Sequence, residues 1–327
     1  MILIVSEKED HSTSEVIQWL IYYKAKFVRV NKGDSLTLRN VQISNHKDCK
    51  FVLLSKERGE IDLDNISAIW YRRGGLHFHL PNLDFIEYKD LKQQAIHHLK
   101  NENNILEDYI QYLLKMIPHI GTYSTRGVNK LVLLDIARKL GIDIPDTYIV
   151  SERDILNSSE KMITKSISEI FTPTTKNGRY ITYTEALKQK PRTSSFFPSL
   201  FQTQIEKEAD IRIFILRDKV WSMAIRSQEN AQTMVDFRKY LSVDPNRHFP
   251  FKLPSALEQK LVELLKRARL ETASVDMILT KDGRFVFLEA NPIGQFGMTS
   301  KPCNTYLERE FARTLMDLSK QKPYERR

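Results

Sequence analysis

The heptapeptide VFLEANP at residues 286–292 is the stretch from which we interpret the rest of the chain. Its three leading apolar residues predict a strand, and Pro292 ends that strand because proline has no backbone N–H to donate. Glu289 and Asn291 are two residues apart, so their side chains point to the same face of an extended backbone. The stretch therefore predicts two oxygen-bearing side chains side by side at a strand end, where a hard cation could bind both.

A partner strand is predicted immediately upstream, over residues 274–280 (SVDMILT). The Asp282-Gly283 pair between the two apolar runs indicates a tight hairpin. With a two-residue loop, the register places Asp276 directly opposite Glu289. Facing carboxylates repel each other, and a magnesium ion between them would remove that cost, since magnesium uses one or two carboxylates together with phosphate oxygens. The alternative is a solvated acidic hairpin that ends in an Asn-Pro turn.

Length and composition indicate a globular protein. The 327 residues suffice for one large domain or two to three small ones, 41% are hydrophobic, and Lys plus Arg exceed Asp plus Glu by 9. A basic balance suits anionic partners such as a nucleotide, an acidic peptide or nucleic acid, although it also serves solubility alone. No apolar run approaches the roughly 20 residues of a membrane span. Two cysteines form no disulfide framework, so a reducing cytoplasm is expected.

Residues 1–120 are predicted to form an α/β domain with a mainly parallel sheet, because short apolar strands alternate with amphipathic helices. The apolar run that follows Met1 has no basic residues before it, so we interpret it as a first strand and not as a signal peptide. Residues 51–54 and 68–71 are predicted as further strands. Arg72-Arg73-Gly74-Gly75 follows the latter strand. It could hold a carboxylate or a phosphate, or it could be a solvated basic turn.

Residues 121–199 are predicted to form a second domain. Asn129 is a candidate N-cap for an amphipathic helix over 130–140, which Gly141 ends. Lys165 lies within a predicted strand, where it needs an anionic partner or an exposed face. The polar residues 168–198 suggest a lid, with a short strand at 180–183.

Residues 200–327 are predicted to form a third domain with an antiparallel sheet. Strands 210–216 and 219–226 are joined by a tight turn, and alternation places Asp210 and Arg212 on one face. A helix over 255–270, the hairpin described above and a helix over 307–318 complete the chain.

The acidic and basic residues of the predicted strands, turns and helices together supply what phosphoryl transfer requires. Cations spread the charge of the phosphates, and oxygen ligands hold magnesium. The sequence has no Walker motif and no Gly-x-Gly-x-x-Gly. This excludes a P-loop nucleotide-binding protein and a protein kinase.

The order of these features resembles the ATP-grasp ligases. The resemblance spans residues 120–296 and rests on Asn129-Lys130, Lys165, the 202–206 hinge, Asp210-x-Arg212, Ala224-Ile225-Arg226, Asp276 and Glu289-Ala290-Asn291-Pro292. Three further stretches narrow the resemblance to one group of these ligases: Trp70-Tyr71-Arg72-Arg73, Asp236-Phe237-Arg238 and the extension Ile293-Gly294-Gln295-Phe296. The chain resembles the peptide maturases of microviridins and other graspetides, most closely the grasp-with-spasm maturases.

The resemblance implies an α/β (α+β) ATP-grasp fold with an N-terminal pre-grasp domain, a central domain and a C-terminal grasp domain. It also implies roles for individual residues. Lys130 and Lys165 hold ATP phosphates, Gln204, Ile205 and Glu206 meet adenine, and Asp210 meets ribose. Asp276, Glu289 and Asn291 carry magnesium; Arg212 and Arg226 face the acyl phosphate. Arg238 and Asp236 lie near the peptide, as do Arg72 and Arg73. One departure is that no glycine-rich loop follows Lys165 before Gly178.

The chemistry implied by the resemblance is ATP-dependent macrocyclisation of a ribosomal precursor peptide with a leader and an acidic, Thr-rich core. Asp or Glu side chains become acyl phosphates and are joined to Thr or Ser hydroxyls or to Lys amines. Two alternatives remain open: a ligase that adds glutamate-type residues to a protein tail, and a non-catalytic peptide-binding module. No nucleic acid or membrane is expected as a partner, and a homodimer is one option for the assembly.

Overall fold

The structure is a computed structural model that describes residues 1–45, 47–121, 128–156, 161–168, 174–175, 178–179, 184–187, 191, 193–226 and 247–321. Packing divides the chain into two compact units, Met1–Arg126 with Tyr306–Arg327, and Gly127–Thr305. The final helix, assigned from the sequence to the 200–327 domain, packs in the first unit. The separation of 121–199 from 200–327 stays a prediction.

The elements of the first unit are listed in chain order. They are β1 (Ile2–Ser6), α1 (His11–Tyr22), β2 (Phe27–Asn31), β3 (Leu36–Ser44), β4 (Lys47–Ser55), β5 (Gly59–Asp62), β6 (Ala68–Tyr71), α2 (Lys89–Lys115) and β7 (His119–Ile120). A short 3-10 helix spans Leu63–Asn65.

The elements of the second unit follow, and α6 (Leu307–Leu318) closes the chain. They are α3 (Lys130–Lys139), β8 (Thr147–Glu152), β9 (Met162–Lys165), β10 (Thr174–Thr175), β11 (Gly178–Arg179), β12 (Glu185–Ala186), β13 (Ser195–Thr203), β14 (Lys207–Leu216), β15 (Lys219–Arg226), β16 (Arg247–Phe251), α4 (Ser255–Arg267), β17 (Thr272–Thr280), β18 (Phe285–Asn291) and α5 (Gly297–Cys303). A 3-10 helix spans Arg153–Ile155.

The first unit contains the predicted parallel sheet, with strand order β2-β1-β6-β7. All five residues of β1 are buried because both faces of the sheet are covered. Leu3, on one face, belongs to a core that includes the C-terminal end of α2. On the other face the Trp70 ring lies 4.3 Å from that of Phe311 in α6.

One predicted member of that sheet lies elsewhere. Residues 51–54 are in β4, the central strand of a separate antiparallel sheet with order β3-β4-β5. The reason is the connection: β4 follows β3 through a short hairpin, whereas a parallel pair needs a crossover of a dozen or more residues. Phe51 and Leu53 nevertheless contribute to the same core as Leu3.

The second unit is built on a five-stranded antiparallel sheet with order β16-β15-β14-β17-β18. Helices α3 and α4 cover one face through Leu133, Leu261 and Leu264, which pack with Ile211 and Phe287 of the sheet. A second sheet, with order β12-β9-β13-β8, has its own small core.

Most of the predicted elements of the second unit are confirmed. Asn129 caps α3 by accepting from the backbone N–H of Leu131 and Val132, and Gly141 follows the helix with φ +64°. Strands β14 and β15 are joined by the two-residue turn Arg217-Asp218. Strand β16 and helix α5 were not predicted, and the strand predicted at 180–183 lies outside the described residues.

Nowhere in the described part of the chain is a helix both long enough and apolar enough to cross a bilayer.

Candidate functional site

The hairpin of β17 and β18 brings the two predicted carboxylates together. Asp276 and Glu289 are direct partners in the strand register, as expected. The loop, however, has three residues and not two: Gly283 N–H donates to the carbonyl of Thr280, and Thr280 N–H donates to the carbonyl of Arg284. The prediction of a two-residue loop was therefore wrong.

A bulge restores the expected pairing. Met277 pairs with Phe287 and Asp276 with Glu289, so Leu288 is an extra residue in β18. The longer loop shifts the register by one residue, and the bulge shifts it back. Such bulges are common beside functional sites because they redirect a side chain. Here the bulge places Glu289 on the same face as Asp276.

Each carboxylate is bound by a cation from a different element. Arg212 of β14 is the register partner of Asp276 on the opposite side, and its Nη1 lies 2.5 Å from Asp276 Oδ1. Lys130 of α3 reaches Glu289, with Nζ 3.2 Å from Oε2. The two pairs form a row of alternating charge, Arg212–Asp276–Glu289–Lys130, which we call the charge row.

The charge row is only partly exposed. The side chain of Arg212 is 11% exposed and that of Lys130 is 24% exposed, so solvent access increases from the middle of the sheet towards α3. Charges in such a location interact more strongly than charges in bulk water, because fewer water dipoles screen them. The row is thus accessible at one end and partly desolvated at the other.

Asn291 lies beyond Glu289, where β18 ends. Its Oδ1 accepts a hydrogen bond from the backbone N–H of Ile293 at 3.0 Å, an Asx turn that accounts for the change in chain direction after the strand. Gly294 continues this turn directly against Ser274, the register partner of Asn291: an added Cβ on Gly294 would lie 2.3 Å from Ser274 Cβ. The close approach holds Asn291 next to β17.

Lys130 is placed by the helix start. Asn129 caps α3, and Leu133, Leu134 and Ala137 bury one face of the helix against the sheet. The first residue of α3 therefore comes to the end of β18, where its side chain reaches Glu289.

Lys207 was not predicted as a site residue. It is buried at the start of β14, and its Nζ binds both carboxylate oxygens of Asp210 at 2.9 and 2.7 Å. Asp210 is buried too. A buried lysine needs such a partner. The sequence pattern that could have predicted this pair is a Lys three residues before an Asp in an apolar strand.

The predicted adenine segment, residues 204–206, connects β13 and β14 beside this pair. The backbone N–H of Gln204 donates to the carbonyl of Lys161 at 2.8 Å, and Glu206 Oε2 lies 3.8 Å from Lys281 Nζ at the surface. Ile205 lies between them. Binding of adenine or ribose by these residues and by Asp210 stays a prediction.

Two predicted cations lie outside the charge row. Lys165 ends β9 in the other sheet, where its register partner is Leu200. Arg226 ends β15 on the same face as Ala224, whereas Arg212 shares the opposite face with its register partner Met223. The guanidinium of Arg226 lies over the Phe249 ring, 5.8 Å from the ring centroid. The expected bracket of Arg212 and Arg226 around one group is not formed in this structure.

Asp236 and Arg238 lie outside the described residues, so their predicted roles stay predictions.

Arg72 and Arg73 are in the first unit and directly follow β6. The alternative prediction that these residues form a solvated basic turn is wrong for Arg72. Both Nε atoms lie 3.3 Å from Asp10 Oδ2, and Asp10 also caps α1 by accepting from Thr13 N–H. Arg72 is buried, and desolvation lowers its pKa to about 10. Arg73 is about one-third exposed and approaches Glu7 as well.

Three side chains near the end of β18 and in the facing strand fit a hard divalent cation by the chemistry of their donor atoms. Asp276, Glu289 and Asn291 offer carboxylate and amide oxygens, which magnesium prefers. No group of three His, Cys, Asp or Glu side chains assembles a metal site among the described residues. The predicted set contains only two carboxylates, which is compatible with a magnesium ion whose other ligands are phosphate oxygens and water.

Comparisons with known proteins bear on the fold of the chain. Residues 1–107 match the family model of the MvdD pre-ATP grasp domain. A comparison with curated proteins gives no match.

Solved structures match over nearly the whole chain. A Chryseobacterium gregarium RiPP-associated ATP-grasp ligase, in complex with ADP and a leader and core peptide, has TM-score 0.80 at 21% identity and covers 99% of this chain and 98% of its own. The macrocyclase MdnC from Microcystis aeruginosa, bound with precursor peptide MdnA, has TM-score 0.72 at 21% identity, with coverages of 97% and 100%. The ATP-grasp ligase PsnB, with minimal precursor, Mg and ADP, has TM-score 0.67 at 14% identity and covers 98% of each chain.

At these identities the likeness establishes the fold, and it confirms at that level the resemblance found in the sequence. The chain is an ATP-grasp-fold protein whose residues 1–107 match the MvdD pre-ATP grasp domain.

Proposed function

We propose that this protein is an ATP-dependent peptide macrocyclase. It would activate Asp or Glu side chains of a ribosomal precursor peptide and join them to Thr or Ser hydroxyls as ω-esters, or to Lys amines as ω-amides. The observation that carries the proposal is the charge row, in which two facing carboxylates are held by Arg212 and Lys130. This arrangement supplies both the cations and the oxygen ligands that phosphoryl transfer requires.

The chemistry of the side chains supports a cofactor role for each of several residues. Asp276, Glu289 and Asn291 would hold magnesium, and when bound the ion would neutralise charge on the phosphate oxygens. Lys130 and Lys165 would hold the phosphates of ATP. Asp210, held in place by Lys207, would face the ribose. Its carboxylate can accept further hydrogen bonds while bound to Lys207.

The reaction would have two steps. A side-chain carboxylate oxygen of the peptide attacks the γ-phosphorus of ATP, the bond to the bridging oxygen breaks, and ADP leaves. A hydroxyl or amine of the same peptide then attacks the acyl carbon, inorganic phosphate leaves, and the nucleophile loses its proton. Arg212 would stabilise the charge that develops on the transferring group, because its planar fork binds two oxygens at once.

The peptide partner would be anionic. The net charge of the sequence is +9. One of the structurally similar ligases was solved in complex with ADP and with a leader and core peptide. An acidic, Thr-rich core would supply both the carboxylates and the hydroxyls. Arg73, Asp236 and Arg238 stay predicted contacts of the peptide, and Arg226 stays a predicted contact of the acyl phosphate. We place the reaction in the cytoplasm, where ATP is available.

The test uses the purified protein, magnesium and the cognate precursor peptide, with ATP as the only nucleotide. We expect the peptide to lose about 18 Da per ring, with one ADP and one phosphate released for each ring, because only the γ-phosphoryl group moves. Tandem mass spectrometry then locates the ester or amide bonds.

Other products would contradict the proposal in distinguishable ways. AMP and pyrophosphate would exclude the acyl-phosphate route. Incorporation of free labelled glutamate, with a mass gain, would identify a tail-adding ligase. No ATP turnover with the cognate peptide would identify a binding module.

A further inference from the structure

The four side chains of the charge row have no net charge, because each carboxylate is paired with a cation. Arg212 binds Asp276. Lys130 binds Glu289, with Nζ 3.2 Å from Oε2. A divalent metal ion that binds both carboxylates must therefore enter next to two positive charges. Like charges repel strongly where water screens them incompletely, so the two ion pairs oppose the binding of a metal ion by itself.

The two ion pairs differ in how easily they open. Arg212 is in β14, the central strand of the five-stranded sheet, and its side chain is 11% exposed. Lys130 is the first residue of α3, and its side chain is 24% exposed. A lysine carries its charge at the end of a flexible stem, whereas the arginine guanidinium is a rigid fork. Lys130 is therefore the cation of the row that can exchange one partner for another.

The location of Lys130 favours such an exchange. The N-terminal end of a helix carries a partial positive charge, so a cation there is unfavourable and an anion is favourable. The first turn of α3, residues 130–133, contains no acidic residue, and Asn129 caps the helix with a neutral amide. Glu289 of β18 supplies the carboxylate that offsets the charge of Lys130. Phosphate groups are the anions that helix N-termini bind most readily.

A nucleotide would compete with Glu289 for Lys130, because its phosphates carry several negative charges and Glu289 carries one. Once Lys130 binds a phosphate oxygen, Glu289 loses this cation but still faces Asp276 in the strand register. Two facing carboxylates repel each other. A divalent cation removes that repulsion, and phosphate oxygens can complete its ligands. The opening of one ion pair thus makes the binding of a metal ion favourable.

We propose that the Lys130–Glu289 ion pair keeps a divalent metal ion from binding until nucleotide phosphates bind Lys130 in place of Glu289. Nucleotide and metal ion then bind with positive coupling, in which each raises the affinity for the other. The inference rests on the proposed function, because it takes Lys130 as a phosphate ligand and Glu289 as a metal ligand. It adds that the same lysine controls the affinity for the metal ion.

Binding of Mn²⁺ to the full chain, with no nucleotide or peptide present, tests the proposal. Mn²⁺ prefers oxygen ligands as Mg²⁺ does, and electron paramagnetic resonance measures its free concentration. Lys130→Met removes the charge and keeps an unbranched side chain, so the Kd for Mn²⁺ should fall at least about tenfold. Lys130→Arg also binds a carboxylate and should leave this Kd within about threefold of wild type.

Nucleotide affinity should change in the opposite direction. With EDTA present to remove metal ions, isothermal titration calorimetry measures the Kd for ATP without turnover. This Kd should rise at least about tenfold in Lys130→Met, because a charged ligand of the phosphates is lost. A side chain that only stabilised the fold would weaken the binding of both ligands, so the opposite signs identify the exchange.

Lys139→Met is the matched control. Lys139 is an exposed residue of the same helix that pairs with Asp135, so its substitution should leave both Kd values unchanged. Lys130→Met/Glu289→Gln locates the metal ion, because the gain in Mn²⁺ affinity should disappear when the carboxylate is removed. Circular dichroism melts check that each variant is folded.

An unchanged or weaker affinity of Lys130→Met for Mn²⁺ would overturn the proposal, and so would an unchanged affinity for ATP. A gain that survives in Lys130→Met/Glu289→Gln would also overturn it, since the metal ion would then bind elsewhere. No titration here measures cyclisation of a peptide. Failure of the metal titration and failure of the cyclisation assay are therefore separate results.

Discussion

Asp276 lies directly opposite Glu289, although the loop between their strands has one residue more than the register predicted from the sequence allows. The extra residue in the loop is compensated by the bulge at Leu288. The two carboxylates therefore face each other because two irregularities in one hairpin cancel. The geometry of the charge row consequently depends on residues that touch neither carboxylate.

Gly283 closes the loop with φ +84°, and an added Cβ there would meet nothing within 4 Å. Gly283→Ala thus tests backbone conformation without a steric clash. We expect the free energy of unfolding, measured in urea, to fall by about 1 kcal/mol. Gly283→Asn should lose less, because asparagine tolerates the left-handed region. Equal losses in both variants would show that the loop changes its conformation.

Gly294 packs directly against Ser274, so Gly294→Ala should force the turn after β18 to move. Overpacking of this kind lowers the free energy of unfolding by about 1–3 kcal/mol. The displacement of the turn should also lower the rate at which ADP is formed during turnover. Gly297→Ala is the control, because nothing lies within 4 Å of an added Cβ there. Similar behaviour of the two variants would contradict the close packing beside Asn291.

Glu289→Gln should lower turnover by about a hundredfold or more, since it removes one proposed magnesium ligand and the partner of Lys130. The fold should survive, because Glu289 is at a strand end. Glu263→Gln is the matched control, because Glu263 is an exposed residue of α4 that pairs with Arg267 of the same helix. Near-normal turnover of folded Glu289→Gln at low magnesium would remove Glu289 from the site.

Arg212→Lys keeps the charge that pairs with Asp276 but loses the planar fork. We expect ATP affinity to be retained and cyclisation to fall by at least about a hundredfold. Nucleotide titration and precursor mass, measured on the same preparation, separate the two effects. Unimpaired cyclisation would mean that Arg212 only holds Asp276 in place.

Arg72 and Arg73 should behave differently, although both approach Asp10. Arg72 is buried, so Arg72→Ala should lower the free energy of unfolding by about 3 kcal/mol. Arg73 is partly exposed, so Arg73→Ala should change stability by less than about 1 kcal/mol. If Arg73 recruits the peptide, its loss should weaken peptide binding more at low salt than at high salt.

The lowered pKa of Arg72 gives the sign of a pH effect. The folded-state pKa of about 10 is below the ordinary pKa of arginine, so between these two values the unfolded chain binds more protons. The contribution of Arg72 to stability should therefore rise with pH in that window and be constant below about pH 10. A difference in unfolding free energy between wild type and Arg72→Ala that varies from neutral pH to pH 9 would contradict this assignment of the ionisation.

The sequence alone determined the features that depend on neighbouring residues. The N-cap at Asn129, the tight turn of β14 and β15, the end of β18 at Pro292 and the shared face of Glu289 and Asn291 follow from local conformational preferences. Those preferences act over a few residues, so one sequence suffices to predict them.

Only the tertiary structure decided which distant groups meet. Lys207 and Asp210 are three residues apart, but their importance comes from burial of both, and Arg72 meets Asp10 across 62 positions. Arg226 lies on the other face from Arg212, and α6 belongs to the first unit although residues 127–305 form the second. Burial and long-range contacts set the free-energy cost of each charge, and local sequence patterns do not predict either of them. The pairing of Asp276 with Glu289 shows the difference, since the predicted pair is correct while the loop and bulge that create it are visible only in the folded chain.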